Sequence, residues 1–142
     1  MTGTDYSSSP PPETMYDLEL HVADGVSTMQ RCARALADAG MNIDALNYSG
    51  VNGSSTLHLL VQDGISAVEI LAGGAVDEVI CRPVLVYTLL NQPGTLARYS
   101  SALVDDGVAI DFIYQATAKG VVIAAPDLDA VRASFAAAAS RP

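Results

Sequence analysis

The residues best suited to chemistry form one short run, Asn91-Gln92-Pro93-Gly94-Thr95-Leu96, which closes one apolar stretch and opens an amphipathic one. Pro93 fixes its own φ and biases Gln92 away from helical geometry, so a strand ending at Leu90 must turn here. Gly94 lets the backbone approach another group closely. Thr95 and Leu96 begin a helical pattern whose first N–H groups lack internal partners. With the positive end of the helix dipole, those donors suit a carboxylate or phosphate, and Asn91 adds a donor and an acceptor beside them. The same residues also make an ordinary turn and helix start with no ligand, and the run alone does not decide between the two.

A second constellation is His21, His58, Glu19 and Thr56, on outward positions of two expected strands. Two imidazoles and a carboxylate on one face suit a metal ion, but such groups more often form a polar surface or interface, so no metal is assigned. Asp105-Asp106, Asp127 and Asp129 fit helix-end and helix-start charges better than a catalytic pair. The chain has no phosphate-binding loop, nucleophile elbow or HExxH, so no catalytic residue and no cofactor is assigned, and an enzyme is not expected.

The 142 residues suffice for one ordinary domain or two small ones that lean on each other. Half are hydrophobic and the net charge is -9, which describes a globular chain with an acidic surface. Its seven basic residues are scattered, which argues against binding a nucleic-acid backbone. Cys32 and Cys81 fall in apolar patterns and read as small buried hydrophobes, which fits a cytoplasmic protein. No basic-then-apolar leader is readable, and no apolar run approaches a membrane span.

The elements that must position these residues follow from periodicity. Residues 1–14, with three serines followed by three prolines, read as a flexible tail. Leu18, Leu20 and Val22 alternate with Asp17, Glu19 and His21, the pattern of a half-buried strand. A helix follows with Met29, Cys32, Ala33 and Leu36 as its stripe, stopped by Gly40. Strands are expected over 41–49 and 56–62 around a turn at Val51 to Ser54, then a helix over 65–71 and a strand over 76–81. After Pro83 the order restarts: a strand over 84–90, and a helix over 94–106 with Leu96, Tyr99, Ser100 and Leu103 inward and Gly107 as its stop. Strands over 108–117 and 121–125 then flank a turn at Lys119-Gly120, and Asp127 caps a final helix to about Ala139.

A shift of 67 positions pairs Leu18 with Leu85, Thr28 with Thr95, Arg31 with Arg98, Gly40 with Gly107 and Asp44 with Asp111 without a gap, the mark of an internal repeat. The copies differ in three ways. Outward positions Asp17, Glu19 and His21 become Val84, Val86 and Thr88, so the second sheet is expected to be covered on both faces. Too little chain follows the last helix for a fourth strand, which leaves an edge to be protected. The opening turn is Asp-Gly-Val-Ser-Thr in the first copy and Asn-Gln-Pro-Gly-Thr in the second, so the two should not bind a ligand equally.

Asn91, Pro93, Gly94 and Leu96, the stop Gly107 and the pair Ile110-Asp111, with Asp24, Gly40 and Asn42-Ile43 in the first copy, resemble the ACT domain family of small ligand-sensing modules. The resemblance implies an α+β fold of two tandem ferredoxin-like βαββαβ repeats, residues 15–82 and 83–142. Each would have an antiparallel sheet with helices on one face, the second lacking its last strand. It further implies a regulatory protein that binds an amino acid between modules, using Asn91, Gln92, Gly94, Thr95 and Leu96 of one and Asn42 and Ile43 of the other. A homodimer and a regulated partner enzyme follow from the same likeness. The first copy departs from the motif, having no proline and Ser27 in the glycine position. The competing reading is a ligand-free interaction module that docks a partner on the apolar face of the second copy. Ferredoxin-like RNA binders share the strand order, but the acidity and the 6% aromatic content argue against them.

Overall fold

The computed structural model describes residues 11–117 and 120–140. The elements run β1 (Glu13–Val22), α1 (Gly25–Asp38), β2 (Ala45–Val51), β3 (Ser54–Val61), α2 (Gly64–Ala72), β4 (Ile80–Thr88), α3 (Thr95–Asp105), β5 (Phe112–Gln115), β6 (Gly120–Ala124) and α4 (Leu128–Ala139). They divide into two compact units, one of Thr14–Val84 and one from Leu85 onward that also takes in Glu13. The strands of the first unit run β2-β3-β1-β4 and those of the second β4-β6-β5, and the division between the units falls within β4, after Val84. Most of the expected tail lies outside the described residues, but Glu13 and Thr14 already belong to β1.

In the first unit β1 and β2 both pair antiparallel with β3, and Asn52 and Gly53 at positive φ make the tight β2–β3 turn. Leu18, Leu20, Leu57, Leu59 and Val61 share one strand face with Cys32 and Leu36 of α1 and Ala67 and Leu71 of α2, so both helices cover that face. In the second unit β4 and β5 pair antiparallel with β6, and Leu85, Tyr87 and Ile123 meet Tyr99 and Ala102 of α3 and Val131 and Phe135 of α4. The helix stops correspond 67 residues apart. Met41 N donates to the Leu36 carbonyl and Val108 N to that of Leu103, both at 2.9 Å, with Gly40 and Gly107 at positive φ. Asp63 and Asp127 cap α2 and α4 by accepting from the amides of Ser66 and Ala130.

Several expectations need correction. The strands expected over 76–81 and 84–90 are one strand, β4. Pro83 does not break it, and its missing N–H falls before the ladder with β6, which begins at Leu85. β2 and β5 are shorter than expected and begin at Ala45 and Phe112. Lys119 lies outside the described residues, and Gly120 opens β6. Cys81 is exposed, unlike Cys32. β1 is not half-buried: Asp17, on the face away from the helices, is fully buried, and Met15, Leu60, Val84, Val122 and Ala124, which lie outside both helix-side clusters, are buried too.

Burial pushes the Tyr87 hydroxyl up to about 12, only partly offset by the Arg132 guanidinium. The unfolded chain releases that proton near pH 10.0 and the folded chain holds it to about 12, so stability present below the lower value is lost as pH rises through this window. Urea midpoints should fall more steeply across it for the native chain than for Tyr87→Phe. Parallel declines would exclude Tyr87 as the cause.

Candidate ligand pocket and a histidine–carboxylate cluster

The β4-to-α3 loop forms one wall of a pocket of about 480 Å³ in the second unit. Asn91, Gln92, Thr95 and Leu96 line it from the loop, with Leu89 and Leu90 below them. Ile113, Tyr114 and Gln115 of β5 and Val121 of β6 form the opposite wall. All these lining residues are uncharged. The walls meet because β5 pairs with β6 and β6 with β4, a long-range pairing invisible in the loop itself.

The loop is ordered by its own backbone. Gln92 N donates to the Leu90 carbonyl at 3.1 Å, Thr95 N to that of Gln92 at 3.3 Å, and Arg98 N to that of Gly94 at 2.9 Å. The Thr95 amide, expected as a ligand donor, is thus already engaged. Gly94 is the α3 N-cap at φ 91°, and a Cβ built there would meet nothing within 4 Å. Its glycine is required by the left-handed backbone.

The phase of α3 also differs from expectation. Thr95, Tyr99 and Ala102 are the buried stripe, while Leu96 is 66% exposed and Ser100 is exposed. The spacing i, i+4, i+7 turns Leu96 to the pocket rim and Thr95 inward. Thr95 is 8% exposed, and its buried Oγ1 has no hydrogen-bond partner among the described residues. Such a hydroxyl is costly unless something supplies the missing bond.

The corresponding junction of the first unit shows what fills that role. Thr28, equivalent to Thr95, is 1% exposed and donates from Oγ1 to Asp24 Oδ1 at 2.8 Å. Arg31 donates from Nη2 to the same hydroxyl at 3.0 Å, approaches Asp24 Oδ2 at 3.5 Å and donates from Nε to the Ala75 carbonyl. The Thr28 hydrogen bond, with Arg31 assisting against partial burial, holds the Asp24 carboxyl below its ordinary range. In the second unit the position of Asp24 is taken by neutral Asn91.

The structure places Asn42 and Ile43 in the first unit and outside this pocket's lining. Asn42 is exposed, donates to Asp44 Oδ1 at 2.8 Å and lines a separate cavity with Asp63 and Ser66, and Ile43 packs at the margin of the first core. The pocket residues that sequence reasoning missed are Leu89, Leu90, Ile113, Tyr114, Gln115 and Val121. Their only sequence signal is the alternation of β5, which puts Ile113 and Gln115 on one face without showing what that face meets.

The second constellation does come together. Asp17 Oδ2 accepts from His58 Nδ1 at 2.9 Å, His58 Nε2 lies 3.5 Å from Glu19 Oε1, and Glu19 Oε2 lies 2.8 Å from His21 Nε2. Arg82 Nη2 reaches Glu19 Oε2 at 3.5 Å, and the Thr56 hydroxyl lies 3.4 Å from His21 Nδ1. Asp17, which sequence reasoning left out of this group, anchors it.

No family model and no curated protein matches the chain. Solved structures do. Protein BT0572 from Bacteroides thetaiotaomicron is similar at TM-score 0.76 and 21% identity, over 87% of this chain and 88% of that one. The ligand-free regulatory subunit of aspartate kinase from Thermus thermophilus is similar at TM-score 0.65 and 19% identity, over 92% and 98%. A putative C-terminal regulatory domain of aspartate kinase from Porphyromonas gingivalis W83 is similar at TM-score 0.65 and 13% identity, over 92% and 94%. The chain therefore shares the fold of these structures, an α and β architecture with six strands and four helices among the described residues.

Proposed function

We propose that the chain is a regulatory protein of two tandem ferredoxin-like ACT modules that binds a small neutral amino acid in the Asn91–Leu96 pocket. The observation that carries this reading is the contrast between two equivalent threonines. Thr28 spends its hydroxyl on the carboxylate of Asp24, whereas Thr95 has a buried hydroxyl facing a pocket from which that carboxylate has been removed. The α-carboxylate of a ligand takes the place of Asp24, next to the Thr95 hydroxyl and the positive end of α3. Asn91 and Gln92 offer acceptors to the ammonium, and Leu90, Leu96 and Ile113 receive an apolar side chain. Uncharged walls disfavour a ligand whose side chain is ionised.

The wider assignment rests on the fold, which in Thermus thermophilus belongs to a regulatory subunit of aspartate kinase. In this proposal Asn42 and Ile43 of a second copy close the pocket, and the chain works as a homodimer that signals to a partner enzyme. Exposed Leu46 and Val51 on β2 and Ile113 on β5, the outer strands, suit such pairing between chains. The exposure of Leu90, Leu96 and Ile113 also favours the second reading, a ligand-free docking module.

Thermal unfolding against single amino acids separates the two. A ligand at 100 times its dissociation constant adds about 2.7 kcal/mol and raises the midpoint by roughly 5–10 °C. Thr95→Val should weaken that ligand about tenfold without lowering the stability of the unliganded chain, because it removes a hydroxyl that has no partner there. Undiminished affinity in Thr95→Val would place the ligand elsewhere, and no shift with any amino acid would favour the docking module.

A further inference from the structure

We propose that the cavity beside the start of α1 in the first unit is a latent site for a small zwitterion, a molecule with one carboxylate and one ammonium, and that Asp24 is its built-in competitor. The cavity holds about 470 Å³. The end of β1 and the start of α1 supply His21, Asp24, Thr28 and Arg31 to its lining, and the segment from α2 to β4 supplies Asp77 and Glu78, all within the first unit.

The internal carboxylate shows what the cavity accepts. Thr28 is 1% exposed and donates from Oγ1 to Asp24 Oδ1 at 2.8 Å, while Arg31 Nη1 lies 3.5 Å from Asp24 Oδ2. One carboxylate thus spans a buried hydroxyl and a guanidinium at the positive end of a helix. Arg31 is held by two further bonds, from Nη2 to Thr28 Oγ1 at 3.0 Å and from Nε to the Ala75 carbonyl at 3.3 Å, neither of which involves Asp24. The seat therefore keeps its two donors when Asp24 leaves it. The Asp24 side chain is 59% exposed, so its carboxylate can turn to water without unpacking Thr28.

With the seat emptied, the lining carries one guanidinium and the exposed carboxylates of Asp77 and Glu78. A ligand with only negative charge is repelled by those two, whereas a zwitterion offers each charge an opposite one. The second unit shows that the seat does not depend on an internal carboxylate. Asn91 replaces Asp24 there, and the equivalent Thr95 is still buried, with a hydroxyl that has no partner among the described residues. The two cavities share no residue, so the first fills or stays empty whether or not the second-unit pocket binds an amino acid.

A carboxylate tethered four residues from Thr28 competes at a fixed, high effective concentration, so the native chain should bind such a ligand weakly. Where Asp24 holds the seat about nine-tenths of the time, emptying it strengthens binding about tenfold. The test is a titration of the isotope-labelled full chain with glycine, which carries both charges, and with acetate, which carries one. In two-dimensional NMR the amides of Thr28, Arg31 and Ala75 report this cavity, and those of Thr95 and Leu96 report the second-unit pocket. Asp24→Ala should bind glycine in the first cavity at least about tenfold more tightly than the native chain. Asp24→Asn, which keeps the native side-chain shape, replaces it if the amide spectrum shows that alanine unfolds the junction. In the neutral variant Arg31→Ala should abolish the response, and Asp77→Asn with Glu78→Gln should weaken glycine about threefold without weakening acetate. Glycine bound no more tightly by the neutral variants than by the native chain, or responses confined to Thr95 and Leu96, would overturn the latent site and leave the second-unit pocket standing. Acetate weakened as much as glycine by the Asp77 and Glu78 changes would overturn the zwitterion.

Discussion

Phe135→Ala should destabilise the second unit by about 3–5 kcal/mol, the largest effect expected of any single truncation there. Phe135 is 3% exposed, and its ring centroid lies 4.6 Å from that of Tyr87 and 4.7 Å from that of Tyr99, tilted against both. It therefore joins α4 to β4 and to α3, and its removal loses the transfer energy of a full ring, two aromatic contacts and the packing around the void. Tyr99 follows Thr95 by one helical turn on the buried stripe, so ligand binding at the pocket should weaken as well. Urea unfolding followed by circular dichroism reads the stability change. A loss below about 1 kcal/mol would show that the three rings are not the centre of this core.

Gly64→Val should cost about 3 kcal/mol in the first unit through the opposite mechanism, overpacking. Gly64 is buried at the start of α2, and a Cβ there would lie 2.6 Å from Tyr16 Cγ and 2.8 Å from both Tyr16 Cβ and Cys81 Sγ. Tyr16 is held on β1 by its pairing with Val61, and its Cβ cannot swing aside as the end of a flexible side chain would. Valine gains little helix propensity over glycine, so no compensating term offsets the clash. The same unfolding experiment decides it, and an unchanged midpoint would mean that β1 and α2 separate without strain.

The strand and helix order was readable because local patterns carry it. The two αL stops at Gly40 and Gly107 and the cap at Asp127 each depend on residues within one turn of each other. What was misread depends on packing at a distance. Pro83 reads as a break, yet β4 runs through it and the ladder with β6 starts only at Leu85. Leu96 reads as a core residue by its hydropathy, but Tyr99 and Ala102 set the phase of α3 and carry the more polar Thr95 inside. Alternation along β1 shows that Asp17 points away from Leu18 without showing that its side of the strand is covered. Half of the pocket was legible in Asn91–Leu96. The wall from Ile113 to Gln115 was not, because only β5–β6 pairing brings it there.

The engagement of Asp24 with Thr28 and Arg31 has a consequence for the shape of any dose–response curve. The first unit carries its own carboxylate in the place where the second is proposed to take one from solution. On that proposal a single chain has one binding site, and its occupancy rises with concentration along a simple hyperbola. A steeper, switch-like response would have to arise from association between chains.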